Sequence, residues 1–455
     1  LSISCFGATE APDWLTALTK TAPTVSTKDA SAVRLLDEGQ MEIQPDGRRT
    51  MRIRQALKIL TADGKKHATA NVNYLAGSSE VKSFKAWVIK PNGEVTALGK
   101  KGLRDIALHA SALELYSEAR RQILSAAADI QPGSWFGFEA VRVERTIFHE
   151  LTWHFQDDIP MQRSSITVKL PEGWTVVDRT LNHAPIASTG SPALRTWQMT
   201  EVAALPQEPM SPAAVSFAPY LALDFIPPPK SAVARSAVKS GSWLELSRQF
   251  TPKYDAASEA DDAMRQRVAK LLTGADTPWE RLQRLCHFAQ TVNYISIQLD
   301  AGNAGGMIPR PAARVLQCNY GDCKDKANLL RTLLAIAGIK AHPLAVLAGA
   351  RERIESDWPS PSQFNHVILA IPVDAAIESA AIVEHPQLGR LLLFDPTDEY
   401  TPLGLVASSR LARQGLLLAG DAGGLIELPR AKVESEQLKR SIRAEVDSIG
   451  NIHAI

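Results

Sequence analysis

Cysteine is scarce in this chain: four among 455 residues, at Cys5, Cys286, Cys318 and Cys323. So few thiols, so unevenly spaced, exclude a disulfide framework as the support of a chain this long. Long apolar runs are missing too. Stretches such as Pro343 to Ala350 fall far short of the roughly 18 residues that span a bilayer, so no transmembrane segment is expected. Charge of one sign is also lacking, since 50 Lys and Arg against 49 Asp and Glu leave a formal +1. Without a single-sign field, nucleic acid is a poor partner. Hydrophobic residues at 45% and charged residues at 22% describe an ordinary globular chain. Its length asks for two or three domains of about 100–200 residues.

From about Val33 to Val177 apolar and polar residues alternate, punctuated by Pro45-Asp46-Gly47, Ala62-Asp63-Gly64 and Pro91-Asn92-Gly93. Phe84 to Lys90 and Ser164 to Leu170 show the period-two pattern of half-buried strands. An antiparallel β-sandwich-like domain over 30–225 is expected, in which His149 and His154, flanking Trp153, are structural. Pro227-Pro228-Pro229 can continue neither a helix nor a central strand and marks a domain connection. Beyond it the period becomes helical. Thr277-Pro278-Trp279-Glu280 is a capping-box start, and Trp279, Leu282, Leu285, Cys286 and Ala289 share one face, with Cys286 in the core. An α+β domain is expected over 240–430. Ser441 to Val446 alternates again before Asp447 to Asn451, so 436–455 reads as the start of a further, incomplete C-terminal β module.

The most informative stretch is Tyr320-Gly321-Asp322-Cys323-Lys324-Asp325-Lys326-Ala327-Asn328-Leu329-Leu330. Leu329, Leu330, Leu333, Leu334 and Ala337 recur at helical spacing, with Lys324, Lys326, Asn328 and Arg331 mainly on the opposite face, so an amphipathic helix is predicted. Asp322 suits the N-cap, Asp325 can close a box, and Gly338 suits the far end. Cys323 then lies in the first turn, where unpaired N–H groups and a partial positive charge favour thiolate over thiol. Gln363 to Ala370 reads as a buried strand with His366 near its start, and Gly389 to Phe394 as a second apolar strand ending at Asp395. A thiolate needs a base and the base an acceptor, so Cys323, His366 and Asp395 make a physically complete set if the two strands are antiparallel neighbours. Taken singly, each has a commoner role: a small core residue, a satisfied core histidine, a turn-forming Asp-Pro.

Gly321-Asp322-Cys323-Lys324-Asp325-Lys326, followed by Asn365-His366-Val367 and Phe394-Asp395-Pro396-Thr397, resembles the bacterial transglutaminase-like superfamily of papain-fold cysteine hydrolases. The likeness covers roughly Trp279 to Tyr400. Upstream, Trp87-Val88-Ile89 before Pro-Asn-Gly, Gly133-Ser134, and Phe155-Gln156 before Ile159-Pro160 are similar to a β-rich domain of unknown function that often precedes such domains. The resemblance implies a papain-like transglutaminase-type fold with Cys323 as nucleophile, His366 as general base and acid, and Asp395 as orienting acid. The backbone N–H of Cys323 is one oxyanion donor; Gln298 and Tyr294 are candidates for the other, and the sequence does not choose between them.

The function expected is cleavage of an amide bond in a peptide or protein through a Cys323 thioester. The alternatives are acyl transfer to an amine, as in protein cross-linking, and a non-catalytic cell-envelope binding or assembly protein that keeps the fold and engages a partner through its N-terminal domain. Zinc held by Cys318, Cys323 and His366 lacks paired spacing, so no metal and no cofactor is expected. The opening Leu1-Ser2-Ile3-Ser4-Cys5-Phe6-Gly7-Ala8 reads as the tail of a targeting segment, which points to the periplasm or cell envelope, with the cytoplasm as alternative. In an oxidising compartment a Cys318–Cys323 bridge would mask the nucleophile.

Overall fold

A computed structural model describes residues 10–99, 102–108, 114–205, 208–238, 241–298, 306–349, 353–405, 411–429 and 440–454. The chain is multidomain and β-rich, with 22% helix and 38% strand. In the first half, strands Ala32–Ile43 and Arg49–Ile59 pair antiparallel across Pro45-Asp46-Gly47, where Gly47 takes the positive φ of +81°. They lie at the centre of an eight-stranded sheet in the order 189–191, 194–202, 161–169, 32–43, 49–59, 135–144, 79–89, 95–98. Alternation decides its two faces. Met51, Ile53, Leu57 and Ile59 point towards two smaller sheets, 150–154 with 220–226 and 175–181, and 69–75 with 119–125 and 104–107. Ala56, Trp87, Ile89 and Trp135 point the other way, under Leu15 of helix Asp13–Thr19.

Two expectations are corrected. The large sheet is not wholly antiparallel: 32–43 runs parallel to 161–169, with Arg34 opposite Met161 and Glu42 opposite Lys169. Each of these strands has its own antiparallel neighbour, and the two meanders join through strands that the chain enters in the same direction. Side-chain alternation carries no information on strand direction, so the pattern could not reveal this. Ala62-Asp63-Gly64 is likewise no hairpin turn. It forms a 3-10 helix over Ala62–His67 that carries the chain from the large sheet to a smaller one.

The last strand of the first half ends at Ile226, and from Ala232 helices take over. Helices Trp243–Ala256, Asp262–Leu272, Pro278–Thr291, Ala312–Cys318 and Cys323–Ile336 cover one face of a six-stranded antiparallel sheet in the order 382–385, 389–394, 366–372, 342–348, 411–417, 424–427. Leu329, Leu330, Leu333 and Leu334 pack against Val367, Leu369 and Ile371, while Leu344, Ile368 and Leu393 form a second cluster on the far face. Ala444–Val446 and Ile452–Ala454 make a small exposed hairpin at the end. No described helix is long and apolar enough to cross a membrane.

Several contacts among the described residues tie the halves. Strand Glu114–Ser117 pairs parallel with Ser296–Gln298. The Val238 N–H donates to Ile147 O at 3.0 Å. Trp358, which is buried among Leu181, Tyr220 and Ala222, donates its indole N–H to Asp224 at 3.3 Å, and Ser360 donates to Glu150 at 2.7 Å. The last of these ties lies just before His366.

Candidate active site

Helix Cys323–Ile336 starts where local chemistry predicts. Asp322 Oδ1 accepts from the Asp325 N–H at 3.2 Å and the Asp325 carboxylate accepts from the Asp322 N–H at 3.3 Å, a closed capping box. Cys323 holds the first helical position, at the positive end of the helix dipole. Gly338 ends the helix at φ +78°.

The polar face opposite the leucines is not open to solvent. Lys324, Lys326 and Asn328 are 4%, 2% and 0% exposed. The leucine face meets the sheet, and helices 262–272, 278–291 and 312–318 close over the remainder. Burial of so many polar groups is sustained because each has a partner. Lys324 pairs with Asp322. Lys326 Nζ donates to Val292 O at 2.6 Å and Gln290 O at 3.3 Å. Asn328 donates to Ala257 O at 3.0 Å and accepts from the Ser258 hydroxyl at 2.7 Å. Burial, the dominant influence, lowers the Lys326 pKa to about 8 despite Asp395 and Glu399 nearby.

Tyr294 reaches Cys323 through strand register. Asn293–Tyr294 runs parallel to Tyr320–Gly321 with Tyr294 opposite Gly321, two residues before the cysteine. A Cβ on Gly321 would sit 2.6 Å from that of Asp325, so only glycine lets the strand turn into the helix here. Tyr294 lies close enough to Cys323 for each to act on the other; burial first, then the charges of Cys323 and Asp322, push the phenol pKa up. The other candidate donor, Gln298, ends a short strand, and its side chain lies outside the described residues.

His366 opens strand His366–Pro372 and Asp395 follows strand Gly389–Phe394. The two strands are antiparallel with Leu369 opposite Phe394, so the register carried past Phe394 brings Asp395 and Thr397 alongside His366. His366 Nε2 bonds Asp395 Oδ2 at 2.8 Å. Asp395 Oδ1 accepts from the Thr397 N–H at 2.9 Å and its hydroxyl at 2.7 Å. Thr397 Oγ1 also lies 3.5 Å from Nε2, so with Nε2 engaged on that side Nδ1 is the ring nitrogen left for the nearby Cys323. Burial opposes the imidazolium, but the bonds and charges of Asp395 and Cys323 outweigh it and raise the His366 pKa to about 10. Burial opposes the Asp395 carboxylate as well, yet His366 and Thr397 hold it below its usual range.

Supporting residues complete the frame. The Asn365 side chain exchanges bonds of 2.7 and 2.9 Å with the Ala348 backbone, which fixes where the histidine strand begins. Gln290 Nε2 donates to Asp398 O at 2.7 Å and Thr401 O at 2.8 Å, holding the loop after Asp395. Gln290 carried no sequence signal; Asn365 was marked only by adjacency to His366. Cys286, Cys318 and Cys323 are all free, so Cys318 does not bridge to Cys323, and burial pushes the Cys286 thiol pKa up. Among the described residues no group of three or more His, Cys, Asp or Glu could hold a metal ion.

Two cavities meet at His366. A 760 Å³ polar one is lined by Tyr294, Lys326, Asp395, Asp398 and Glu399. A 190 Å³ apolar one is lined by Cys323, Phe148, Phe250, Met307 and Phe364.

Known proteins are similar to parts of this chain. A family model described as a domain of unknown function with solved structure, DUF3857, matches residues 45–206, within the β-rich half and short of Cys323. No curated protein matches. The solved structure of a "putative protease" from Parabacteroides distasonis aligns with a TM-score of 0.65 over 89% of this chain and 73% of its own, at 13% identity. That likeness is one of fold, and it runs through both halves. A "putative cysteine protease" from Cytophaga hutchinsonii has 9% identity over 93% of this chain and 91% of its own. An M1 zinc metallopeptidase from Deinococcus radiodurans has 8% identity over 43% of this chain and 42% of its own. Both align with a TM-score of 0.23, too low for an argument about fold.

Proposed function

We propose that this chain is a transglutaminase-like, papain-type cysteine hydrolase that cleaves an amide bond in a peptide or protein, with 240–430 as its catalytic domain and 30–225 as an accompanying one. The observation that carries the reading is the His366–Asp395 bond of 2.8 Å beside a capped helix start whose first residue, Cys323, is near enough to raise the His366 pKa. The thiol gives its proton to His366, and Sγ attacks the carbonyl carbon while the π electrons move to oxygen. The Cys323 N–H and the Tyr294 hydroxyl, already together, are the donors that receive that oxyanion. As the C–N bond breaks, His366 passes its proton to the leaving nitrogen, and the acyl group stays on sulfur as a thioester. Water then attacks with His366 taking its proton, the C–S bond breaks, and the proton returns to sulfur as the acid leaves. Asp395 touches no reacting atom; it holds the ring with Nδ1 towards sulfur. An amine in place of water would give transamidation by the same steps. Kinship of fold with a protein named as a protease adds support by analogy only.

Iodoacetamide labelling provides the first test. Cys323 is expected to react at neutral pH well ahead of Cys318, which is also free and partly exposed, and to lose that lead in His366→Ala. Equal rates at the two thiols would sink the enzyme reading and favour a non-catalytic partner-binding protein. A peptide library run with and without amine acceptors, on wild type and Cys323→Ala, then separates hydrolysis from transamidation.

A further inference from the structure

We infer that the apolar cavity beside Cys323 takes the side chain of a substrate residue on the acyl side of the scissile amide, and that Phe148, from the β-rich half, sets its selectivity. The inference rests on the acyl-transfer reading above. In that reaction the acyl portion stays bonded to Cys323 Sγ, whereas the leaving nitrogen departs where His366 delivers its proton. His366 lines both cavities, but Cys323 lines only the 190 Å³ one, and Tyr294, Asp395 and Lys326 line the 760 Å³ one. Because Sγ borders the smaller cavity and not the larger, we place the acyl side at the smaller one and the leaving group beyond His366 at the larger.

Its chemistry follows from its walls, chiefly Phe148, Phe250, Met307, Phe364 and Leu416. Lys324 reaches it as well, but its ammonium is paired with Asp322 and offers little to an anionic side chain. A dry apolar cavity of about 150 Å³ holds a benzene-sized group, so this volume suits an aromatic or branched aliphatic side chain. Phe250 is 4% exposed and belongs to the core of the helical half. Phe148 is different: among the lining residues it is the one supplied by the other half. Its backbone is pinned on both sides, with Ile147 O accepting from Val238 N–H at 3.0 Å and His149 O from Phe225 N–H at 2.7 Å. Its own N–H donates to the Thr146 hydroxyl at 3.0 Å. A ring held on so rigid a segment defines a wall, and the β-rich half becomes a substrate-selecting part of the enzyme.

The test uses the whole chain and dipeptidyl chloromethyl ketones that alkylate Cys323: Gly-Gly, Phe-Gly, Gly-Phe and Asp-Asp. Rates are read by intact-mass spectrometry and divided by the same variant's iodoacetamide rate at Cys323. In wild type a Phe-bearing probe is expected to exceed Gly-Gly and Asp-Asp by about tenfold or more, the discrimination an apolar pocket supplies. Phe148→Ala should collapse that ratio severalfold, and Phe148→Trp, which fills the cavity instead, should lower it by a different route. Equal normalised rates for all four probes, with Cys323 still selected by iodoacetamide, would overturn the inference and leave the reaction class standing. An unchanged Phe preference in both variants would overturn the role of Phe148. Failure of iodoacetamide to select Cys323 would instead remove the enzymatic reading itself.

Discussion

Each half of the molecule sets a histidine at the start of a strand, and their surroundings push the two pKa values in opposite directions. His149, just before strand Glu150–His154, packs edge-on against Trp174 at 5.3 Å, and its Nδ1 has no hydrogen-bond partner. Burial, with Arg49 adding to it, lowers its pKa to about 4. His366 is half-buried, which also opposes its charge, but Asp395 and Cys323 raise its pKa to about 10. Burial alone drives an imidazole neutral; a carboxylate on one nitrogen and a thiol nearby reverse the sign. The β-rich half packs its histidine against an indole, and the helix-and-sheet half sets its own against a carboxylate.

The largest effect should break the contrast outright. Cys323→Ala is expected to lower amide cleavage by at least about a thousandfold, measured on the best library peptide, whereas His149→Gln should leave turnover near wild type. If His149→Gln is as damaging as Cys323→Ala, the division of roles between the halves is wrong. Next, Asp395→Asn should cost about 10²- to 10⁴-fold in kcat and let the His366 pKa fall from about 10 towards 6.5, read by NMR titration. An unmoved His366 titration would show that Asp395 is not what holds the charge.

Asp322→Ala removes the helix cap and strips buried Lys324 of its partner, with an expected loss of ~3–5 kcal/mol in denaturant unfolding. A loss under ~1 kcal/mol would mean that Lys324 finds water or another acceptor. The smallest effect is the pH dependence of stability, and the histidines should pull in opposite directions. His149 is depressed, so its contribution is full above pH 6.5 and is lost as pH falls towards about 4. His366 is raised, so its contribution is full below pH 6.5 and is lost as pH climbs through about 10. In thermal melts, His149→Gln should flatten the acid limb and His366→Gln the alkaline one.

Legibility in the sequence followed the range of the interactions. The Asp322–Asp325 box, Cys323 at the helix start and the Gly338 end are local, written within a few residues, and the structure places them as expected. The two strands carrying His366 and Asp395 were legible as apolar runs, and their antiparallel pairing supports the juxtaposition. The burial of Lys324 and Lys326 was not legible, because helical periodicity tells which residues share a face and not what covers it. Between Tyr294 and Gln298 no local signal could choose; the register of Tyr294 on Gly321 is a tertiary fact. Phe148 lies far from Cys323 in sequence, in a stretch that gave no sign of function.

By itself the sequence determined the capped helix start at Cys323 and the strands bearing His366 and Asp395, because caps and periodicity arise from neighbours along the chain. Only the tertiary structure decided that the His366 pKa is raised and the His149 pKa lowered, that the lysines after Cys323 are buried, and that Phe148 lines the thiol's cavity. Charge state, burial and cavity shape depend on what is brought close from afar, and the fold alone brings it.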